Sequence, residues 1–159
     1  ISSAASDVYK RQTEAYVKKD FIWIRNIIKK MLIVFVFWIL VGGIMLIGSN
    51  TIYGLWTGME LNIPYSLSAV VYLFMLTCCW NGIFIAFING IGKIQLQVLL
   101  SILPILLMLP LSKLLISVFH FGVTGIVLCM LLFNIISSLM ISIQVWKILR
   151  GTDRGIWAK

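Results

Sequence analysis

Polar positions fall along this chain in a few clusters, and the intervals between them are long and apolar. From Met31 to Trp146 only Glu60, Lys93, Lys113 and His120 bear a carboxylate, an ammonium or an imidazole. The runs 31–59, 61–92, 94–112 and 114–146 are free of Asp, Glu, Lys and Arg. Each exceeds the roughly 18 residues that suffice to cross about 30 Å of hydrocarbon. The pattern predicts an all-α polytopic membrane bundle over residues 31–150. Its four transmembrane helices are expected at about 31–48, 64–89, 94–118 and 122–149, followed by a tail over 151–159. Pro64 suits a first helical turn, where its missing N–H costs nothing. Pro104 and Pro110 fall inside the third span. Each removes one backbone hydrogen bond and crowds the carbonyl four residues earlier, at Leu100 and Leu106, so a helix bend is expected there. Neighbouring helices, hydroxyls or water can satisfy carbonyls freed in this way.

Ahead of the first span, Phe21, Ile24, Ile28 and Met31 recur at three- and four-residue steps, opposite Lys18, Lys19, Arg25, Lys29 and Lys30. That spacing predicts an amphipathic helix over 13–30 lying in the headgroup region. Asp20 is placed to cap it by accepting backbone N–H groups. Residues 1–12 are set aside. Ser6-Asp7-Val8-Tyr9-Lys10-Arg11-Gln12 looks like the translation of a transposase-end sequencing adapter, and the chain carries no initiating Met. Such segments are excluded from fold reasoning. The expectation is a fragment of a longer natural chain.

Composition sharpens this picture. The chain of 159 residues is 61% hydrophobic and 11% charged, against about 25% charge in an ordinary soluble domain. Soluble globular, disordered and nucleic-acid-binding readings are excluded on that ground. Thirteen Lys and Arg against five Asp and Glu give a net charge of +8, and the distribution of the cations decides what this charge does. Ten of them (Lys18, Lys19, Arg25, Lys29, Lys30, Lys93, Lys147, Arg150, Arg154 and Lys159) flank the spans on one side, and only Lys113 lies on the other. By the positive-inside rule both termini are cytoplasmic. Tyr53, Trp56 and Tyr65 mark the outer interface, with Trp23, Trp146 and Trp157 at the inner one. Trp38 and Trp80 lie too deep for an aromatic belt and are assigned to lipid contact or packing.

Helices in lipid associate through small residues and buried polar contacts. Cys78, Gly82, Ala86 and Gly90 form one such stripe in the second span, and Asn134, Ser138 and Ser142, with Ser137 beside them, form one in the fourth. Gly42 and Gly43 give a small patch in the first.

No catalytic constellation is present, so the chain does not read as an enzyme, and no cofactor or metal pattern emerges. His120 has no carboxylate near it, and Cys78, Cys79 and Cys129 match no zinc or redox spacing. Asn89-Gly90-Ile91-Gly92-Lys93 fails as a phosphate loop, because Phe87 stands where Gly is required and no Ser or Thr follows Lys93. It reads as a tight turn. The informative polar residues are Asn81 and Asn134, amides well inside the second and fourth spans. An amide in hydrocarbon needs a partner, so both face the bundle interior or a wet cavity. Interhelical hydrogen bonding and contact with a transported substrate both remain open for them, and likewise for Thr77, Ser101 and Gln144. No Asp or Glu lies within a span, so the ion site of a coupled carrier would have to lie elsewhere.

Several stretches resemble the C-terminal part of bacterial polysaccharide transporters, the O-antigen and lipid-linked oligosaccharide flippases. These are Ile52-Tyr53-Gly54-Leu55-Trp56-Thr57-Gly58, Phe87 through Gln97, Leu109-Pro110-Leu111-Ser112, Phe121-Gly122-Val123-Thr124-Gly125-Ile126 and Gln144 through Leu149. The family belongs to the superfamily of multidrug, oligosaccharidyl-lipid and polysaccharide exporters. The resemblance implies the last four helices of a two-lobe fold of about twelve, in a bacterial cytoplasmic membrane. The lobes rock about a central site, and the cargo is an undecaprenyl-diphosphate-linked oligosaccharide used in cell-envelope polysaccharide such as lipopolysaccharide. It further implies partnership with the bilayer and with missing N-terminal helices of the same chain. Asn81 and Asn134 would face the substrate cavity, shaped by the bend at Pro104 and Pro110. Two other readings stay open: a multidrug or toxin extruder of the same superfamily, and a non-transporting four-helix membrane scaffold.

Overall fold

A computed structural model of the chain describes residues 10, 11, 13–59 and 63–158. The non-native reading of residues 1–12 falls, apart from Lys10 and Arg11, outside the described residues, and so does Glu60. The described chain is all-helical and contains no strand. Five α-helices follow in order: α1 (Phe21–Ile47), α2 (Ser49–Thr57), α3 (Tyr65–Ile91), α4 (Gln95–Ser117) and α5 (Val123–Leu149), with a short 3-10 turn at Gly155–Ala158. Four of them, α1, α3, α4 and α5, are long and apolar enough to cross a membrane.

The helix ends follow from local chemistry. Residues 13–17 are helical, and the chain then turns through Lys19, whose φ is +56°. The Asp20 carboxylate accepts the Trp23 N–H at 3.0 Å and caps α1. The break thus comes at Lys18–Asp20, and from Phe21 a single helix runs to Ile47 without interruption at Met31. Residues 21–30 form its basic first turns, not a separate amphipathic helix. The physical reason is that nothing between Arg25 and Met31 terminates a helix. A helix of 27 residues measures about 40 Å, enough to cross about 30 Å of hydrocarbon with Arg25 beyond it and Lys29 and Lys30 at its boundary, where lysine side chains reach the headgroups.

The segment after the first span, to which the sequence pattern assigns no element, holds α2. Gly48 N–H bonds to the Ile44 carbonyl as the end of α1, and α2 begins at the next residue. Pro64 is the N-cap of α3. Gly92, at φ +75°, ends α3 with its N–H on the Asn89 carbonyl. A Cβ there would be strained, which is why a glycine closes this tight turn. Helix α4 runs unbroken through both Pro104 and Pro110.

Packing centres on α5, which lies against α3 over its length and against α4 on another face, while α1 packs on α3. The buried core gathers toward the end where α3 finishes and α5 finishes: Ile24, Phe87, Ile88, Ile141, Val145 and Ile148 are its principal members. Ala15, from the helical segment ahead of α1, joins it. Trp80 fills the space between α1 and α5, with its ring 5.6 Å from Phe35 and 5.2 Å from Phe84. Gly42 makes room for Tyr72 of α3 against α1. A Cβ there would meet the Tyr72 ring at 2.5 Å, and the Tyr72 hydroxyl donates to the Ile39 carbonyl at 2.7 Å. Outward, α1 and α4 leave most of their apolar side chains uncovered, including Val36, Leu40, Ile44, Ile105, Leu106 and Leu109.

Candidate functional site

The polar stripe of α5 faces α3, and it carries a ladder of contacts across the bundle. Asn81 Nδ2 donates to Asn134 Oδ1 at 3.4 Å and to Ser137 Oγ at 3.3 Å. Asn134 Nδ2 in turn donates to Cys78 Sγ at 2.8 Å. Further along, Ser138 Oγ donates to the Thr77 carbonyl at 3.4 Å, and the Trp80 indole N–H reaches Ser142 Oγ at 3.0 Å. In α5 the expected small-polar stripe is therefore the contact face. In α3 it is different: Cys78 meets α5, but Gly82 is exposed with nothing within 4 Å of where a Cβ would sit. Residues four apart rotate by about 40° per step around an α-helix of 3.6 residues per turn, so a stripe from 78 to 90 drifts off any one face. The helix packs instead on Asn81, Phe84 and Ile88.

Asn81 and Asn134 share the wall of a cavity of about 290 Å³ between α3, α4 and α5. Gln97, Ser101 and Pro104 line it as well. Two buried acceptors of this site, Asn81 Oδ1 and Gln97 Oε1, have no hydrogen-bond partner among the described residues. A buried amide oxygen left unpaired costs about 1–3 kcal/mol, so the site holds acceptor capacity that water or a hydroxyl donor would satisfy. Among the described residues the cavity wall contains no carboxylate, amine or imidazole. Of the residues singled out from sequence, Asn81, Asn134, Ser101 and Pro104 meet here, and Thr77 and Gln144 lie elsewhere. Pro110 does not line the cavity. Gln97 is the one cavity-lining amide that sequence reasoning did not single out; its place as an amide in the first turn of an otherwise apolar span is the signal.

A second polar centre closes the basic end. Lys93 Nζ pairs with the Asp153 carboxylate and lies 5.1 Å over the Tyr16 ring. Burial lowers the Lys93 pKa, but the Asp153 carboxylate and the Tyr16 hydroxyl more than offset this, and the net direction is upward from the ordinary lysine value. Gln144 is fully buried, and its Nε2 donates to the carbonyls of Lys93 and Trp157 at 3.2 and 3.4 Å. Lys147 sits 3.9 Å over the Trp157 ring. The Thr13 hydroxyl donates to the Gly90 carbonyl. The segment ahead of α1, the α3–α4 turn and the tail are thereby gathered at one end of the bundle.

His120 is exposed in the α4–α5 turn, with φ +53°. Cys78, Cys79 and Cys129 are free thiols. Among the described residues no group of three His, Cys, Asp or Glu side chains is placed to hold a metal. Compared with protein-family models, curated proteins and solved structures, the chain finds no match.

Proposed function

We propose that the chain is the C-terminal part of a bacterial flippase that carries undecaprenyl-diphosphate-linked oligosaccharide across the cytoplasmic membrane by alternating access. The observation that carries this reading is the cavity beside Asn81 and Asn134. It is a hydroxyl-accepting, uncharged recess at the level of the membrane-spanning helices, with Asn81 Oδ1 and Gln97 Oε1 unpaired. A sugar head crosses hydrocarbon only where polar partners replace water, because each unpaired polar group costs several kcal/mol. The uncovered apolar faces of α1 and α4 are in keeping with a bundle that meets lipid and further helices of a larger lobe. In this reading both termini are cytoplasmic, the cationic groups that attract the diphosphate lie in the preceding lobe, and the chain by itself transports nothing.

The test is complementation. The gene containing this chain together with its upstream sequence is expressed in a strain lacking its own lipid-linked oligosaccharide flippase, and surface polysaccharide is read on a gel. Restored polymer from the whole gene, and none from residues 13–159 alone, is expected. No polymer from the whole gene contradicts the proposal.

A membrane scaffold is the second reading, and one observation favours it. Both amide nitrogens, of Asn81 and Asn134, are spent on interhelical hydrogen bonds, as structural glue requires. Complementation separates the two.

A further inference from the structure

Apart from the amide cavity, a larger crevice of about 410 Å³ opens between α1 and α3. Lys30, Val34 and Trp38 line it from α1, with Cys79 and Gly82 on the opposite wall. Its lining is apolar except at one end, where Lys30 sits. The Lys93–Asp153 pair is the sole ion pair among the described residues, so Lys30 has no carboxylate partner there. From Lys30 to Trp38 the helix rises about 12 Å, close to the hydrocarbon depth of one leaflet, which is about half of 30 Å. The lysine marks the headgroup level, because Arg25 and Lys29 precede it and no charge follows it in α1. Gly82 leaves room for a chain to lie against the backbone of α3, since nothing comes within 4 Å of where its Cβ would be.

We propose that this crevice binds one anionic glycerophospholipid of the adjoining leaflet, with its phosphate on Lys30 and an acyl chain along Val34, Trp38 and Gly82. The occupant follows from complementarity: a single cation at headgroup level, above an apolar slot one leaflet deep. A neutral helix face would satisfy the slot and leave the lysine unpaired. The inference is independent of what the whole protein transports.

The full chain is purified and reconstituted into phosphatidylcholine vesicles that contain equal mole fractions of bromine-chain phosphatidylglycerol or bromine-chain phosphatidylcholine. Quenching of tryptophan fluorescence is read, and Trp38→Phe identifies the share that comes from the crevice. Phosphatidylglycerol is expected to compete for Trp38 about five-fold better than phosphatidylcholine. Lys30→Ala abolishes that preference, Lys30→Arg keeps it, and Gly82→Leu reduces Trp38 quenching by both lipids. Equal quenching by the two lipids in the unaltered chain overturns the proposal. So does a preference that survives Lys30→Ala, or Trp38 quenching left unchanged by Gly82→Leu. A crevice closed by a second copy would give Cys79–Cys79 cross-linking without lipid preference, and that result also overturns it.

Discussion

Asn81 and Asn134 stand 53 residues apart in sequence, and their amides meet at 3.4 Å across the α3–α5 interface. Each uses its nitrogen on the other helix, and Asn81 keeps its oxygen free. The pair thus joins two helices and furnishes a cavity wall at once.

Because the pair is interhelical, its members are energetically coupled. A double-mutant cycle with Asn81→Ala and Asn134→Ala, read by unfolding in detergent or bicelles, is expected to give a coupling energy of about 0.6 kcal/mol, at most about 1.7. Strict additivity of the two losses would contradict the contact.

The two glycines of α1 and α3 that face their common boundary differ in what surrounds them. At Gly42 a side chain collides with Tyr72 and displaces its hydroxyl from the Ile39 carbonyl. Gly42→Val is expected to destabilise by about 1–3 kcal/mol, the usual cost of overpacking. Gly82→Val meets no neighbour and is expected to be nearly neutral on the same assay. Equal effects at the two positions would contradict the helix packing.

Lys93 supplies a pH dependence whose sign is fixed. Its pKa in the folded chain lies above the ordinary lysine value, which is about 10.4. The stabilisation is therefore fully present below about pH 10.4 and is lost as pH rises through the folded value. The difference in melting temperature between the unaltered chain and Asp153→Asn is expected to stay constant from neutral pH to about pH 10, then to close. A gap already closing near neutral pH would contradict the pairing.

Much of the fold was legible because lipid permits few solutions. Charge-free runs longer than a bilayer must be helices, and punctuation at Pro64, Gly92 and Gly122 set the ends within a few residues of α3, α4 and α5. The small-polar face of α5 was legible for the same reason: Asn134, Ser138 and Ser142 have no other place to go. The start of α1 was misread, since basic residues signal an interface but do not stop a helix. Helix α2 was missed because its nine residues show no run long enough to separate from a loop. The stripe through Gly82 misled, since small residues pack only where a large partner comes near, and Tyr72 came to Gly42 instead. The Lys93–Asp153 pair joins residues 60 apart, and no local pattern announces such a contact. For the candidate site, the two amides were legible from their position inside apolar spans. That Pro104 and Gln97 stand beside them depends on how α4 lies against α5, which periodicity does not encode.

Threading decides more than any single contact, and it can be read directly. Alkaline phosphatase, active only outside the cytoplasm, is fused after Gly58, Lys93, Val118 and Arg154 in turn and assayed in bacterial cells. Four crossings with a cytoplasmic basic end predict active enzyme at Gly58 and Val118 and silent enzyme at Lys93 and Arg154. Activity at Arg154, or the same result at all four junctions, would contradict the account.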